Sequence, residues 1–137
     1  MKRILFAPAL LVALVGLVLG SVLLTGCSSS GSVTNVDAPA FLTTAAEPGV
    51  VVVDVRTPAE YAAGHIDGAI NIDVEAPTFD AEMAKLDPAT TYAVYCHSGR
   101  RSGIATGKMG DAGFTKVYNL QGGISDLASA GGQVVTS

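Results

Sequence analysis

Apolar and polar positions along this chain fall into blocks whose period changes several times. Ile4 to Leu24 is an apolar run without a charged residue. After a polar stretch, Val33-Thr-Asn-Val36 reads as a short strand. Asp37 is a good N-cap, and Pro39 sits early in a helix with Phe41 and Leu42 as its apolar face. Pro48-Gly49 breaks that helix. Val50-Val-Val-Val-Asp-Val55 is then a nearly continuous β-branched run, the pattern of a strand buried on both faces of a parallel sheet.

Thr57-Pro58 with Glu60 spells a capping box for a one-turn helix, Ala59 to Ala63, that stops at Gly64. His65 to Ile72 reads as a turn and a further short strand. Phe79, Met83 and Leu86 at helical spacing predict a helix over Asp80 to Leu86, ended by Asp87-Pro88. Thr91 to Tyr95 is a Val- and Tyr-containing strand, and Ile104 to Met109 a helix. Gly113 to Leu120 supplies a last strand, and Ile124 to Ala130 a weak final helix. Alternation of strands and helices throughout predicts an α/β fold: a small, mostly parallel five-stranded sheet with helices on both faces.

The apolar run changes the picture of the N-terminus. Met1-Lys2-Arg3 is a basic start, and the run ends at Leu24-Thr25-Gly26-Cys27, followed by Ser28-Ser29-Ser30-Gly31-Ser32. This is the layout of a secretory signal. The last four residues resemble the bacterial lipobox, in which cleavage precedes a cysteine that receives diacylglycerol on sulfur. The expected organisation is a lipoprotein signal peptide over 1–26, a lipidated Cys27 with a flexible tether over 27–32, and one folded domain over 33–137. The alternative is an uncleaved helix: Ile4 to Leu24 at about 1.5 Å per residue spans roughly 31 Å, enough for a bilayer core. Both place the domain outside the cytoplasm, on the periplasmic or extracellular side of the cell membrane.

Charge excludes one class of partner. The net charge of −4 becomes −6 once Lys2 and Arg3 are removed with a signal peptide, so no basic face for nucleic acid is expected. The cysteines are Cys27 and Cys96, with no C-x-x-C pair, which argues against a structural metal site. With Cys27 in a thioether, Cys96 has no disulfide partner in the chain.

Cys96 is where the chemistry is expected. It ends a strand, turns through His97-Ser98-Gly99 and re-emerges with Arg100-Arg101 into a helix. Such a turn aims backbone N–H groups and the positive end of a helix dipole at one point, where a thiol ionises easily and an anion binds. Asp54-Val55-Arg56 ends a neighbouring strand, so the site belongs at the C-terminal edge of the sheet.

Asp54 through Ile72 resembles the segment D-x-R-x-x-x-E-[YF]-x-x-G-H-I-x-G-A-x-N-[IV] of the rhodanese family. Cys96-His-Ser-Gly-Arg-Arg-Ser102 is similar to that family's active-site loop, C-x-x-G-x-R-S. Gly113-Phe through Gly122-Gly123-Ile124 resembles its closing G-[FY]-x-x-V-x-x-L-x-G-G-[IM] segment. These motifs stand in family order and span 33–137. Leu127 departs from the pattern, standing where many members carry tryptophan.

The resemblance implies a double-displacement sulfurtransferase without a cofactor. The Cys96 thiolate would take the outer sulfur of a donor such as thiosulfate, release sulfite, and pass the sulfur from a persulfide to cyanide or a thiol, including a protein thiol. Backbone of His97, Ser98, Gly99 and Ser102 would cradle the persulfide. Arg100 and Arg101 are the candidates for holding the donor's oxyanion, with Arg101 the one able to face solvent. Arg56 either pairs with Glu60 or lines the pocket. Asp54, Glu60 and His65 are expected to support the site structurally, Asp54 by bracing backbone and His65 by fixing a turn.

Other readings compete. A cysteine phosphatase or arsenate reductase needs C-x5-R, but the sixth residue after Cys96 is Ser102. A non-enzymatic rhodanese-like binding module usually lacks the cysteine present here. A sulfur carrier or thiol-redox partner would keep the persulfide and hand it to a protein.

Overall fold

A computed structural model describes residues 32–137. Cys27 and the signal-like run therefore lie outside the described residues. The chain order is β1 (Ser32–Val36), α1 (Ala38–Ala45), β2 (Val51–Asp54), α2 (Pro58–Ala63), β3 (His65–Ile66), β4 (Ile70–Asn71), α3 (Phe79–Met83), β5 (Thr91–Tyr95), α4 (Arg100–Asp111), β6 (Lys116–Leu120), α5 (Ile124–Ser129) and β7 (Val134–Val135).

The expected sheet forms. Its order is β1-β6-β5-β2-β4, and every neighbouring pair is parallel. Local signals act as read: Asp37 accepts the Ala40 N–H at 3.0 Å, and the Thr57–Glu60 capping box closes in both directions. Side-chain alternation along the strands then splits the core between two faces. On one face Tyr95 and Leu120 pack against Phe41 of α1 and Leu127 of α5. On the other, Val53, Val94, Cys96 and Phe114 pack against Ala105 and Met109 of α4, with Phe79 and Met83 of α3.

Several boundaries differ from the sequence reading: α4 starts at Arg100 rather than Ile104 and runs to Asp111, and β6 starts at Lys116 rather than Gly113. The helix expected over Asp80 to Leu86 is α3, which starts at Phe79 and ends at Met83. Beyond it, Lys85 and Leu86 donate to Glu82 and Met83, the tighter three-residue spacing of a terminating turn. The single strand expected before Ile72 is split in two. His65–Ile66 leaves the main sheet to pair antiparallel with Val134–Val135, and only Ile70–Asn71 joins β2. The terminal strand β7 is too short to show as a pattern. Its pairing, with the Asp67 N–H on Gln133 O at 2.9 Å, straps the C-terminus across the α2–β3 corner.

Leu127 is fully buried in the position where the resemblance expects a larger ring, and α5 is a six-residue helix whose buried side chain is Leu127. Leu127→Ala is expected to destabilise the domain by about 2–5 kcal/mol, read as a lower urea midpoint at unchanged slope. A loss under about 1 kcal/mol would mean that α5 is not held by this contact.

Candidate active site

Cys96 follows the last residue of β5 and faces the α4 side of the sheet, where it is free and fully buried. The Gly99 N–H donates to its Sγ at 3.0 Å, and Ser102 Oγ stands 3.5 Å away. Ser102 Oγ also reaches Gly99 O at 3.2 Å, which ties the first turn of α4 to the loop. Burial pushes the Cys96 thiol up. The Ser102 hydroxyl and the N–H groups of Ser102, Ser98 and Gly99 pull it down, and the net position is below the ordinary thiol range.

The loop can take this shape because of two glycines. Gly99 is left-handed (φ +98°), and a Cβ there would also meet the Gly122 backbone at 3.2 Å. A Cβ on Gly123 would overlap the His97 carbonyl, and next to it the Ile124 N–H holds Cys96 O at 3.1 Å. The start of α5 is thus pressed against the loop from behind, leaving His97 and Ser98 exposed at its tip.

The arginines do not lie as expected. Arg101 is the inward one: its side chain is 14 % exposed and forks onto Glu60, with Nη1 to Oε2 at 2.7 Å and Nη2 to Oε1 at 2.8 Å. Arg100 faces solvent at 71 %, with Glu75 at 3.6 Å. Two residues into a helix, Arg101 reaches α2, whose capping box already holds the Glu60 carboxylate on the Thr57 N–H and hydroxyl. The Arg101 guanidinium, opposed by burial and helped by the Thr57 N–H and hydroxyl, lowers Glu60 to about 2. Glu60 in turn raises Arg101.

Arg56 does not pair with Glu60, whose oxygens are taken by Arg101 and Thr57. It folds back onto Asp54, with Nη2 to Oδ2 at 2.6 Å and Nε to both oxygens, and also donates to Gly64 O at 2.6 Å. Both partners are buried, so the carboxylate demands the nearest cation. Asp54 Oδ1 accepts the Arg56 N–H at 2.9 Å, and Oδ2 accepts Tyr95 OH at 2.7 Å. Tyr95 OH receives the Ile66 N–H, and Asn71 Nδ2 reaches the carbonyls of Asp54 and Arg56. His65 is buried, stacked on Tyr61 at 3.7 Å with Nδ1 against Tyr61 O at 2.9 Å. Sequence reading missed Tyr95, Asn71 and Glu75. Tyr95 looked like strand filling, though a tyrosine in a buried run requires a partner for its hydroxyl.

Arg56, Glu60, Ala63, Gly64, His97 and Ile124 line a cleft of about 340 Å³ beside the loop. Arg56 contributes to this wall while remaining tied to Asp54. Chemically, the arrangement can hold a thiolate, or one more negatively charged sulfur, with backbone donors.

A family model described as Rhodanese-like domain matches residues 37–130. The chain is 40% identical over 76 residues to the thiosulfate sulfurtransferase PspE of Escherichia coli (strain K12), covering 56% of this chain and 72% of that protein. It is 41% identical over 75 residues to the thiosulfate sulfurtransferase GlpE of Pseudomonas entomophila, covering 55% and 67%. Among solved structures, a rhodanese-related protein from Thermoplasma volcanium superposes with a TM-score of 0.66 at 28% identity, over 76% of this chain and 99% of that one. A rhodanese with anions from E. coli superposes at 0.54 and 34% identity, over 64% and 99%.

Because Glu60 is lowered to about 2 in the fold, its ion pair contributes stability above the ordinary carboxylate pKa. That contribution is lost as pH falls through the window from about 4.5 to 2. The carboxylate is a third exposed, so screening leaves about 1 kcal/mol. Urea midpoints measured down this window should fall less steeply for Glu60→Gln than for the wild type. Parallel curves would show that the pair adds nothing.

Proposed function

This chain belongs to the rhodanese-like domain family, and we propose that it moves sulfane sulfur from thiosulfate, or a similar donor, to a thiophilic acceptor through a persulfide on Cys96. The observation that carries this reading is the Gly99 N–H 3.0 Å from a buried, acidified sulfur. In the first half-reaction the Cys96 thiolate attacks the outer sulfur of thiosulfate. A Cys96 S–S bond forms, the donor's S–S bond breaks, and sulfite leaves with that electron pair. In the second, cyanide attacks the outer persulfide sulfur, thiocyanate departs, and the thiolate returns. No proton moves in either step, so no general base is required.

The relatives named thiosulfate sulfurtransferase support sulfur transfer as the activity. The loop supports its mechanism: backbone donors stabilise a charge that stays on sulfur throughout. Arg100, exposed and only loosely opposed by Glu75, is the arm free to meet the donor's oxyanion. Arg101, fixed on Glu60, acts by holding the loop's helix against α2. The reading includes the anchor: Cys27 carries lipid after signal removal and holds the domain on the outer side of the cell membrane. The lipobox-like residues support it.

Intact mass of the purified chain should show lipid on Cys27, and thiosulfate should add one sulfur that cyanide removes. Cys96→Ser should bring thiosulfate:cyanide transfer to background; substantial remaining activity would sink the mechanism. Arg100→Ala should raise the thiosulfate KM with little change in kcat. Arg101→Ala should lower kcat and stability together. Equal effects from the two would contradict their different placement.

A further inference from the structure

From the sheet's topology we infer that the Cys96 face points away from the membrane and exchanges sulfur with donors and acceptors dissolved in the aqueous compartment, not with thiols embedded in the bilayer. The inference rests on the proposed lipid anchor at Cys27. Ser32, Lys116 and Thr91 are aligned at the start of three neighbouring parallel strands. Cys96 stands five residues beyond Thr91 along β5, which at about 3.3 Å per residue puts it roughly 17 Å farther along the strand direction than Ser32. The exposed His97 and Ser98, and the turn at Gln121–Gly123, follow the strand ends and add further height on that side.

Between Cys27 and Ser32 lie five peptide units, whose greatest reach is about 18 Å at roughly 3.6 Å each. As a Gly/Ser coil the same length spans about 12–13 Å on average. Turning the Cys96 face toward the bilayer would lift Ser32 by the full strand height plus the loops beyond it, more than the tether reaches. Standing upright, with Ser32 and Lys116 near the lipid, needs no such extension. The parallel arrangement is decisive here. Were β1 antiparallel to β5, the same tether would press the site onto the membrane.

The test uses the full, processed chain with Cys96→Ser and one reporter thiol. This is either Ser98→Cys at the exposed loop tip or Lys116→Cys at the exposed opposite end. Each is reconstituted in phosphatidylcholine vesicles containing a phosphatidylethanolamine with a maleimide headgroup, and intact mass reads the lipid on Cys27 in the same samples. Lys116→Cys should couple to the lipid, and Ser98→Cys at least about tenfold more slowly, because its effective concentration at the surface is low. Soluble N-ethylmaleimide should label both alike. Inserting about fifteen Gly/Ser residues after Ser30 should bring Ser98→Cys up to the rate of Lys116→Cys. Equal coupling to lipid at the native tether would overturn the orientation. A chain without lipid on Cys27 would overturn the anchor and the orientation with it, and the mass separates the two failures.

Discussion

The structure depends on one short backbone turn. Between the end of β5 and the start of α4 the chain reverses within four residues, Cys96 to Gly99, and it must do so with its N–H groups directed at Cys96 Sγ. A buried sulfur alone would resist ionisation. Here the Ser102 hydroxyl and the amides of Ser102, Ser98 and Gly99 outweigh burial. The same turn requires a left-handed Gly99 and the close approach of Gly122–Gly123 behind it, so the start of α5 belongs to the site although it carries no reactive group. Leu127, by fixing α5 in the core, connects the opposite face of the sheet to the loop.

Two carboxylates support this turn in different ways. Asp54 is buried and has its oxygens shared by Arg56 and Tyr95, so it locks the end of β2 to β5 and to Ile66. A buried pair of this kind contributes little net stability. Removing one partner costs about 3–5 kcal/mol because the other charge is stranded. Glu60 is partly exposed and serves twice, capping α2 and receiving Arg101 from α4. One connection is internal to the sheet, and the other crosses between α2 and α4. Neither carboxylate approaches the sulfur within hydrogen-bonding distance, which suits a cycle in which no proton is transferred.

Much of the fold was legible because its signals are local. Asp37, Thr57 with Glu60, and the β-branched run at Val50 to Val55 each act through neighbours within a few residues, and the structure follows them. Cys96 and Gly99 were legible as a strand end and a turn for the same reason. What could not be read depends on contacts distant in sequence. Arg56 chose Asp54 rather than Glu60 because Arg101, 41 residues from Glu60, claimed that carboxylate first. The inward turn of Arg101 and the outward turn of Arg100 depend on where α2 lies relative to α4. β7 exists because β3 offers it an unpaired edge, and no periodicity in a two-residue strand announces that.

The charge around the sulfur bears on how the proposed cycle would turn over. Arg100 and Arg101 look in sequence like a strongly positive clamp, but Glu60 and Glu75 oppose them in space. Two free guanidinium groups would hold a divalent anion firmly, and would hold sulfite as well as they hold thiosulfate. Groups that bind donor and leaving anion alike lower KM without accelerating transfer. Backbone donors behave differently: they act within about 3 Å and on one atom. The charge they stabilise is on thiolate sulfur before attack and on persulfide sulfur after it. Balanced arginines with unbalanced amides therefore favour the charge that remains on the protein and let the departing one go.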